Sequence, residues 1–365
     1  MASAPPTPAG SLTSLEGLRF VSSLMIVAGH YVPYVTPTPL IARLHLAVDL
    51  FFVISGIVIA ERYAGKIRDL RDWAAFMVKR IARLYPLHLA TLGFYVAIGV
   101  LVWSGKLHPA DATRYNPAEI IPNLLLVQAW RLDSPISFNY VSWSISAEFF
   151  VYLLFPLILA LVGRRALPAF IGIIAVFMLF AWIAETEVGR PLTKLDWRGG
   201  VLRAVPSFAF GTWLHCHLRH MAIPAARLRL LVHGLLGVVA LLMLLRVNEY
   251  ALLGVIWLLV ASAYAADRRG VVTWVAAPWL ARRGALTYSI YMLHTVVATV
   301  LLAVVFPKLL GTSPGARLAG VLVALPALYV LSVLSLRWFE TPMRRWIGSG
   351  TTLIVQRGKT VTKQQ

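Results

Sequence analysis

The chain is built from apolar runs of roughly 18 residues or more, parted by short basic or turn-forming stretches. In lipid the backbone N–H and C=O groups of such a run must be satisfied within the segment, which only an α-helix achieves for a single span. Composition agrees, with 59% hydrophobic and 13% charged residues, against about half and about a quarter in soluble domains. The expected fold is all-α, a polytopic membrane helical bundle.

Ten helices are predicted, over 15–34, 44–61, 80–104, 141–163, 166–184, 200–217, 229–246, 249–266, 286–306 and 317–340. The stretch "EIIPNLLLVQAW" at 119–130 is too short to span, and is expected to lie in the interface or re-enter. With the N-terminus inside, the inner loops carry about twice as many Lys and Arg residues as the outer ones. That bias fits about ten transmembrane helices with both termini cytoplasmic; an odd number would put the basic tail outside.

The net charge of +19 is read the same way, as topological anchoring beside anionic lipid rather than as a nucleic-acid surface. The opening "MASAPPTPAGS" lacks a positive segment before an apolar core, so it is not a cleavable signal peptide and 1–14 is expected to be a disordered N-terminal leader. The membrane domain is expected over 15–341 and a basic cytoplasmic tail over 342–365. Cys216 is the single cysteine, which excludes an intramolecular disulfide or a cysteine metal cluster, and no metal site is expected.

Ionisable groups inside spans cost at least a few kcal/mol each and default to functional roles facing the bundle interior. Here they are His30, Asp49, Glu148 and His294, with His45 and Arg203 near helix ends. From a rise of about 1.5 Å per residue, His30 lies roughly 18–22 Å above the inner start of its helix. Asp49 and Glu148 lie roughly 8–10 Å below the outer surface, a matching height in a core of about 30 Å. An imidazole with a carboxylate to orient it suits general-base chemistry. The plain alternative is that these groups only hydrogen-bond neighbouring helices.

Arg19 and His30 are eleven residues apart. That turns the helix only about 20° past three full turns, so both share a face, about 16 Å apart along the axis. Arg19 is either a phosphate contact or a positive-inside anchor, and spacing leaves both open. "KRIARLYPLH" places Lys79, Arg80 and Arg83 at the cytoplasmic surface, again as phosphate ligands or as anchors. Pro342 in "WFETPMRRW" is expected to stop the last helix, with Glu340 pairing to a basic loop.

Together these segments resemble the acyltransferase-3 family of bacterial integral-membrane O-acyltransferases. "GLRFVSSLMIVAGHY" resembles its opening arginine–histidine motif and "HLAVDLFFVISGIVIA" its second-helix signature. "KRIARLYPLH", "SWSISAEFFVYLLFP", "GALTYSIYMLH" and "WFETPMRRW" resemble further motifs, and "FAFGTWL" does so weakly. Ala47, Val53–Ile54 and Thr287 depart from the usual residues without removing an ionisable group. No esterase-type domain is appended in this sequence.

The resemblance implies transfer of an acyl group, commonly acetyl, from acyl-CoA to a hydroxyl of a sugar or related acceptor, in a bacterial cytoplasmic membrane. Acyl-CoA is then a co-substrate, with no bound cofactor expected, and the partners are a glycoconjugate acceptor and the lipid bilayer. Arg19, Lys79, Arg80 and Arg83 would hold the nucleotide end. His30 would act as general base, or as a transient acyl carrier, with Asp49 or Glu148 orienting it. Ser142, Ser144, Tyr288, Tyr291 and His294 would position the acceptor or polarise the thioester, and are equally plausible as interhelical hydrogen-bond partners. The rival class is a proton-coupled or glycolipid transporter, although its characteristic pair of broken, symmetry-related segments is not visible.

Overall fold

The computed structural model describes residues 12–36, 38, 41–109, 111–218 and 223–348, and among them every regular element is helical. In chain order these are α1 (Thr13–Val35), α2 (Ala47–Tyr63), α3 (Leu70–Trp103), α4 (Ile120–Leu124) and α5 (Trp143–Leu153). There follow α6 (Phe155–Val162), α7 (Ala166–Ile183), α8 (Gly200–His217), α9 (Ala225–Leu244) and α10 (Glu249–Arg268). The last are α11 (Pro278–Ala281), α12 (Thr287–Val297), α13 (Phe306–Leu310) and α14 (Pro314–Leu334).

Every one of the ten predicted segments is helical, but seven helices among the described residues are long and apolar enough to cross a membrane, or up to eight with the bent pair α5–α6. The difference from ten lies in α1 and α8. α8 sits inside the bundle, where Arg203, Ser207, Thr212 and His215 are all buried against protein. A helix sheathed by other helices needs no lipid-facing apolar surface. α7 is the opposite case, with mean hydropathy 2.5 over its span and Ile173 as its sole buried residue in the regular part.

α2 and α8 run in the same direction and touch backbone to backbone. A Cβ on Gly56 would stand 2.2 Å from the Phe208 carbonyl oxygen, and one on Gly211 2.0 Å from that of Val53. Small residues are what allow such close approach between helices. The same crossing sets Asp49 and Arg203, each about two turns before its glycine, side by side.

Three expected boundaries change. α3 begins at Leu70, ten residues before the predicted start, where the Asp69 side chain accepts the Asp72 N–H as an N-cap. Its 34 residues span about 51 Å, longer than a bilayer core of about 30 Å, so Lys79, Arg80 and Arg83 sit on the helix itself. The predicted helix over 141–163 is broken by 63° between α5 and α6, where Pro156 cannot donate to the ladder and Trp73 Nε1 bonds the Leu153 carbonyl at 3.3 Å. Pro342 does not stop the last helix. A π-turn over Ser335–Glu340 precedes it, and the helix continues to residue 348.

The 119–130 stretch forms the short α4 and then dips inward, leaving Leu126 and Ala129 fully buried in the main core. The predicted leader lies almost wholly outside the described residues, as does most of the predicted tail.

Candidate active site

α1 is pinned at its N-terminus by a distant carboxylate. Asp267 at the end of α10 accepts the Ser14 N–H at 2.8 Å and the Leu15 N–H at 3.1 Å. Gly17 then packs directly on the Val275 carbonyl. These contacts deliver Glu16 and Arg19 to the rim of a cavity of about 520 Å³ bounded by α1, α2, α3, α5 and α12.

The cavity runs beside α2 from Arg62 to Val48, about 21 Å at the helical rise. At one end stand Arg19, Arg62, Lys79, Arg80, Arg83 and Arg344. Arg19 is compensated by Glu16, 3.1 Å away. Arg80 is held by aromatic rings: its guanidinium donates to the Tyr63 hydroxyl at 3.1 Å and stacks 5.3 Å from that ring and 5.8 Å from Tyr152. Arg62, Lys79, Arg83 and Arg344 are not ion-paired to any carboxylate among the described residues. Six cations around one opening make an anion-binding mouth.

Further in, Glu148 accepts the Ser55 hydroxyl at 2.7 Å and is also bonded by the Tyr152 hydroxyl. The inner end is closed by Ser144 and Tyr291. Ser144 Oγ donates to the Tyr291 hydroxyl at 2.8 Å, and Tyr291 donates to the Val141 carbonyl at 2.9 Å.

His30 lies just past that end and does not line the cavity. Its Nδ1 bonds the Ile26 carbonyl at 2.9 Å, and its ring stands 4.9 Å from His294 and 5.7 Å from Tyr140. His294, fully buried, anchors its own Nδ1 on the Tyr291 carbonyl at 2.6 Å. The Tyr291 ring, 5.8 Å from His294, separates the two histidines from the cavity.

The structure therefore brings together the expected Arg19, Lys79, Arg80, Arg83, Glu148, Ser144, Tyr288 and Tyr291 around one cavity, with His30 and His294 one ring beyond. It does not join His30 to a carboxylate. Asp49 is taken by Arg203, whose Nε lies 3.0 and 3.1 Å from its two oxygens and whose Nη2 lies 2.6 Å from Oδ2. Glu148 is taken by Ser55 and Tyr152. The expected carboxylate support of His30 gives way to the Ile26 carbonyl because in-helix hydrogen bonding satisfies Nδ1 first. Ser142 is away from the cavity, buried and bonded by Gln128 Nε2 at 3.0 Å. Tyr288 lines the wall, but its hydroxyl is spent on the Leu84 carbonyl.

Among the cavity residues that sequence reasoning missed are Ser55, Tyr152, Arg62 and Arg344. Ser55 and Tyr152 carry no charge to mark them, although Tyr152 stands one turn from Glu148. Arg62 falls just past the predicted second helix, and Arg344 past the expected stop at Pro342. Glu340 bonds not to a basic loop but to the Ser289 and Ser335 hydroxyls, at 2.6 and 2.7 Å, fixing the segment that carries Arg344.

Comparison with known proteins gives this arrangement a context. The chain is 34% identical over 206 residues to the acyltransferase MdmB of Streptomyces mycarofaciens, covering 50% of this chain and 51% of that protein. It is 38% identical over 90 residues to protein 2 in the picA locus of Rhizobium radiobacter, covering 24% and 46% respectively. The chain thus spans about half the length of the curated relatives it matches. No solved structure matches. The family model described as an acyltransferase domain, Acyl_transf_3, covers residues 12–337, which takes in both histidines and the cavity apart from Arg344 and Gly348. The chain belongs to the acyltransferase-3 family.

Proposed function

We propose that the protein transfers an acyl group, acetyl in the simplest case, from acyl-CoA to a hydroxyl of a sugar-containing acceptor. The observation that carries this reading is the cavity itself: a cationic mouth, an apolar shaft and a polar inner end one aromatic ring from His30.

The chemistry follows from that order of groups. Phosphates of the donor dock on Lys79, Arg83, Arg62 and Arg344, with Arg19 and Arg80 beside them, where charge-assisted hydrogen bonds are strongest. The pantetheine arm lies along Phe51, Phe52 and Val58 of α2. Ser55, Tyr152 and Glu148 form a polar girdle around the arm, which makes Glu148 a positioning residue. Tyr291 and Ser144 swing aside to admit the thioester. The acceptor hydroxyl gives its proton to His30 Nε2 and attacks the thioester carbonyl. The tetrahedral intermediate then collapses and expels the CoA thiolate, which takes up the proton. A route through acyl-His30 uses the same residues, with the imidazole attacking first. The basic mouth faces the cytoplasm of a bacterial inner membrane, where acyl-CoA is made.

The test is thioester turnover by the purified protein in lipid nanodiscs, with acetyl-CoA and a panel of glycosides. Wild type should release free CoA, and His30→Ala should release it about 10²–10⁴-fold more slowly. No release with any acyl-CoA, together with an unaltered cellular phenotype in His30→Ala, would overturn the reading and favour transport.

A further inference from the structure

The two histidines beyond the cavity share an unusual property. His30 Nδ1 and His294 Nδ1 each bond a backbone carbonyl, and a carbonyl only accepts, so each Nδ1 carries the ring proton. In the neutral rings both Nε2 atoms are then lone-pair acceptors. His294 Nε2 is buried and has no partner, and no donor among the described residues bonds His30 Nε2.

Most neighbouring hydroxyls are already committed, and the Tyr140 hydroxyl, whose ring stands 5.7 Å from His30, donates to neither imidazole. Tyr31 donates to the His294 carbonyl at 2.9 Å, Tyr291 to the Val141 carbonyl, Ser144 to Tyr291, and Thr295 to Asn139 Oδ1 at 2.8 Å. Two imidazoles with ring centroids 4.9 Å apart thus offer two acceptors and nothing to fill them. A buried acceptor without a donor is costly, so the pair is built for an occupant that brings hydrogens.

We infer that the reacting hydroxyl is one of an adjacent pair, and that His30 and His294 together bind a vicinal diol of the acceptor. This rests on the acyltransferase reading above. A lone alcohol has one O–H and leaves one Nε2 empty. Adjacent ring hydroxyls of a sugar stand a hydrogen-bond length apart and donate to both. His30 removes the proton from the hydroxyl that forms the ester C–O bond; the C–S bond breaks, and CoA leaves as the thiol after taking that proton. His294 holds the second hydroxyl, which keeps its proton. His30 is partly exposed yet absent from the cavity wall, so the diol reaches it by a route other than the basic mouth.

The experiment compares cis-1,2-cyclohexanediol with its monomethyl ether as acceptors for acetyl-CoA, using the full chain in nanodiscs. Wild type should favour the diol by about 100-fold in kcat/KM. His294→Phe should lose that preference, and His294→Gln, which keeps an acceptor oxygen, should retain much of it. Each variant is checked for folding by acetyl-CoA binding at the mouth. Equal rates for diol and ether in wild type, or an intact preference in His294→Phe, overturn the inference. If neither probe is acylated, hydrolysis decides, because water supplies both hydrogens. Hydrolysis slowed in His294→Phe as in His30→Ala supports the two-acceptor site on which the diol inference stands, and unchanged hydrolysis overturns it. A wild type inert towards every acyl-CoA removes the acyltransferase reading and this inference with it.

Discussion

Arg203 Nη2 lies 2.6 Å from Asp49 Oδ2, and both side chains are almost wholly buried where α8 passes α2. The same guanidinium reaches the carbonyls of Leu195 and His45, at 3.1 and 2.8 Å, and stands 5.4 Å over the Trp143 ring. One arginine therefore ties four segments together at the end of the bundle away from the basic mouth, and Asp49 serves that tie rather than His30.

Breaking that pair should be costly. Asp49→Asn or Arg203→Met leaves an uncompensated buried charge or a crippled network, a loss of about 3–5 kcal/mol. Thermal unfolding in detergent should show a large fall in Tm for either single variant. The double variant Asp49→Leu with Arg203→Met should recover part of it, since neither charge then remains.

The glycine contact makes a second demand. Gly56→Ala or Gly211→Ala drives a methyl group into a backbone carbonyl, and α2 and α8 must separate. Overpacking of this kind costs about 1–3 kcal/mol or more. Because Ser55 adjoins Gly56, acyl transfer should fall along with Tm. Gly254→Ala, where an added Cβ meets nothing within 4 Å, is the control and should leave both unchanged.

Arg83 and Arg344 make a prediction about binding alone. Alanine at either position removes a charged hydrogen bond worth about 1.5–3 kcal/mol, so the KM for acyl-CoA should rise about 10–100-fold with kcat little altered. The effect should shrink with added salt, since this mouth is open to solvent. A fall in kcat at unchanged KM would remove both residues from donor binding.

Tyr291 stands between the cavity and the two histidines. Tyr291→Ala should join the cavity to the His30–His294 site, speeding acyl-CoA hydrolysis relative to transfer by admitting water. Tyr291→Phe keeps the ring and loses only the bonds to Val141 and Ser144, so hydrolysis should stay near wild type. Equal hydrolysis in the two variants would mean that the ring is no barrier.

Asp267 caps α1 from 250 residues away in sequence. Asp267→Ala should cost about 0.5–2 kcal/mol, the worth of an N-cap. It should also loosen Arg19 at the rim, seen as a modest rise in the acyl-CoA KM.

The helical character of the chain, most of its segment positions and eight of the cavity's lining residues were legible in the sequence. Apolar length alone dictates helices in lipid, and ionisable groups within them stand out because they are expensive there. That is how His30, Asp49, Glu148 and His294 announced themselves, and how the cations at 79, 80 and 83 could be grouped at one end. Hydrophobicity was a poorer guide for α1 and α8, whose surroundings are protein. It was silent on Ser55 and Tyr152, which look like ordinary bundle residues until Glu148 is placed between them.

Pairing is a matter of three-dimensional packing. Height along a helix follows from residue number, but rotation and neighbour do not, so three polar groups at one level could be combined in several ways. The Gly56–Gly211 contact brought Arg203 to Asp49, because a guanidinium fork satisfies both carboxylate oxygens at once. Backbone carbonyls one turn back claimed the histidines' Nδ1 atoms, a local bond that spacing alone does not reveal. Apolar runs specify a helical membrane chain and single out its costly groups; the packing of small residues decides which of those groups meet.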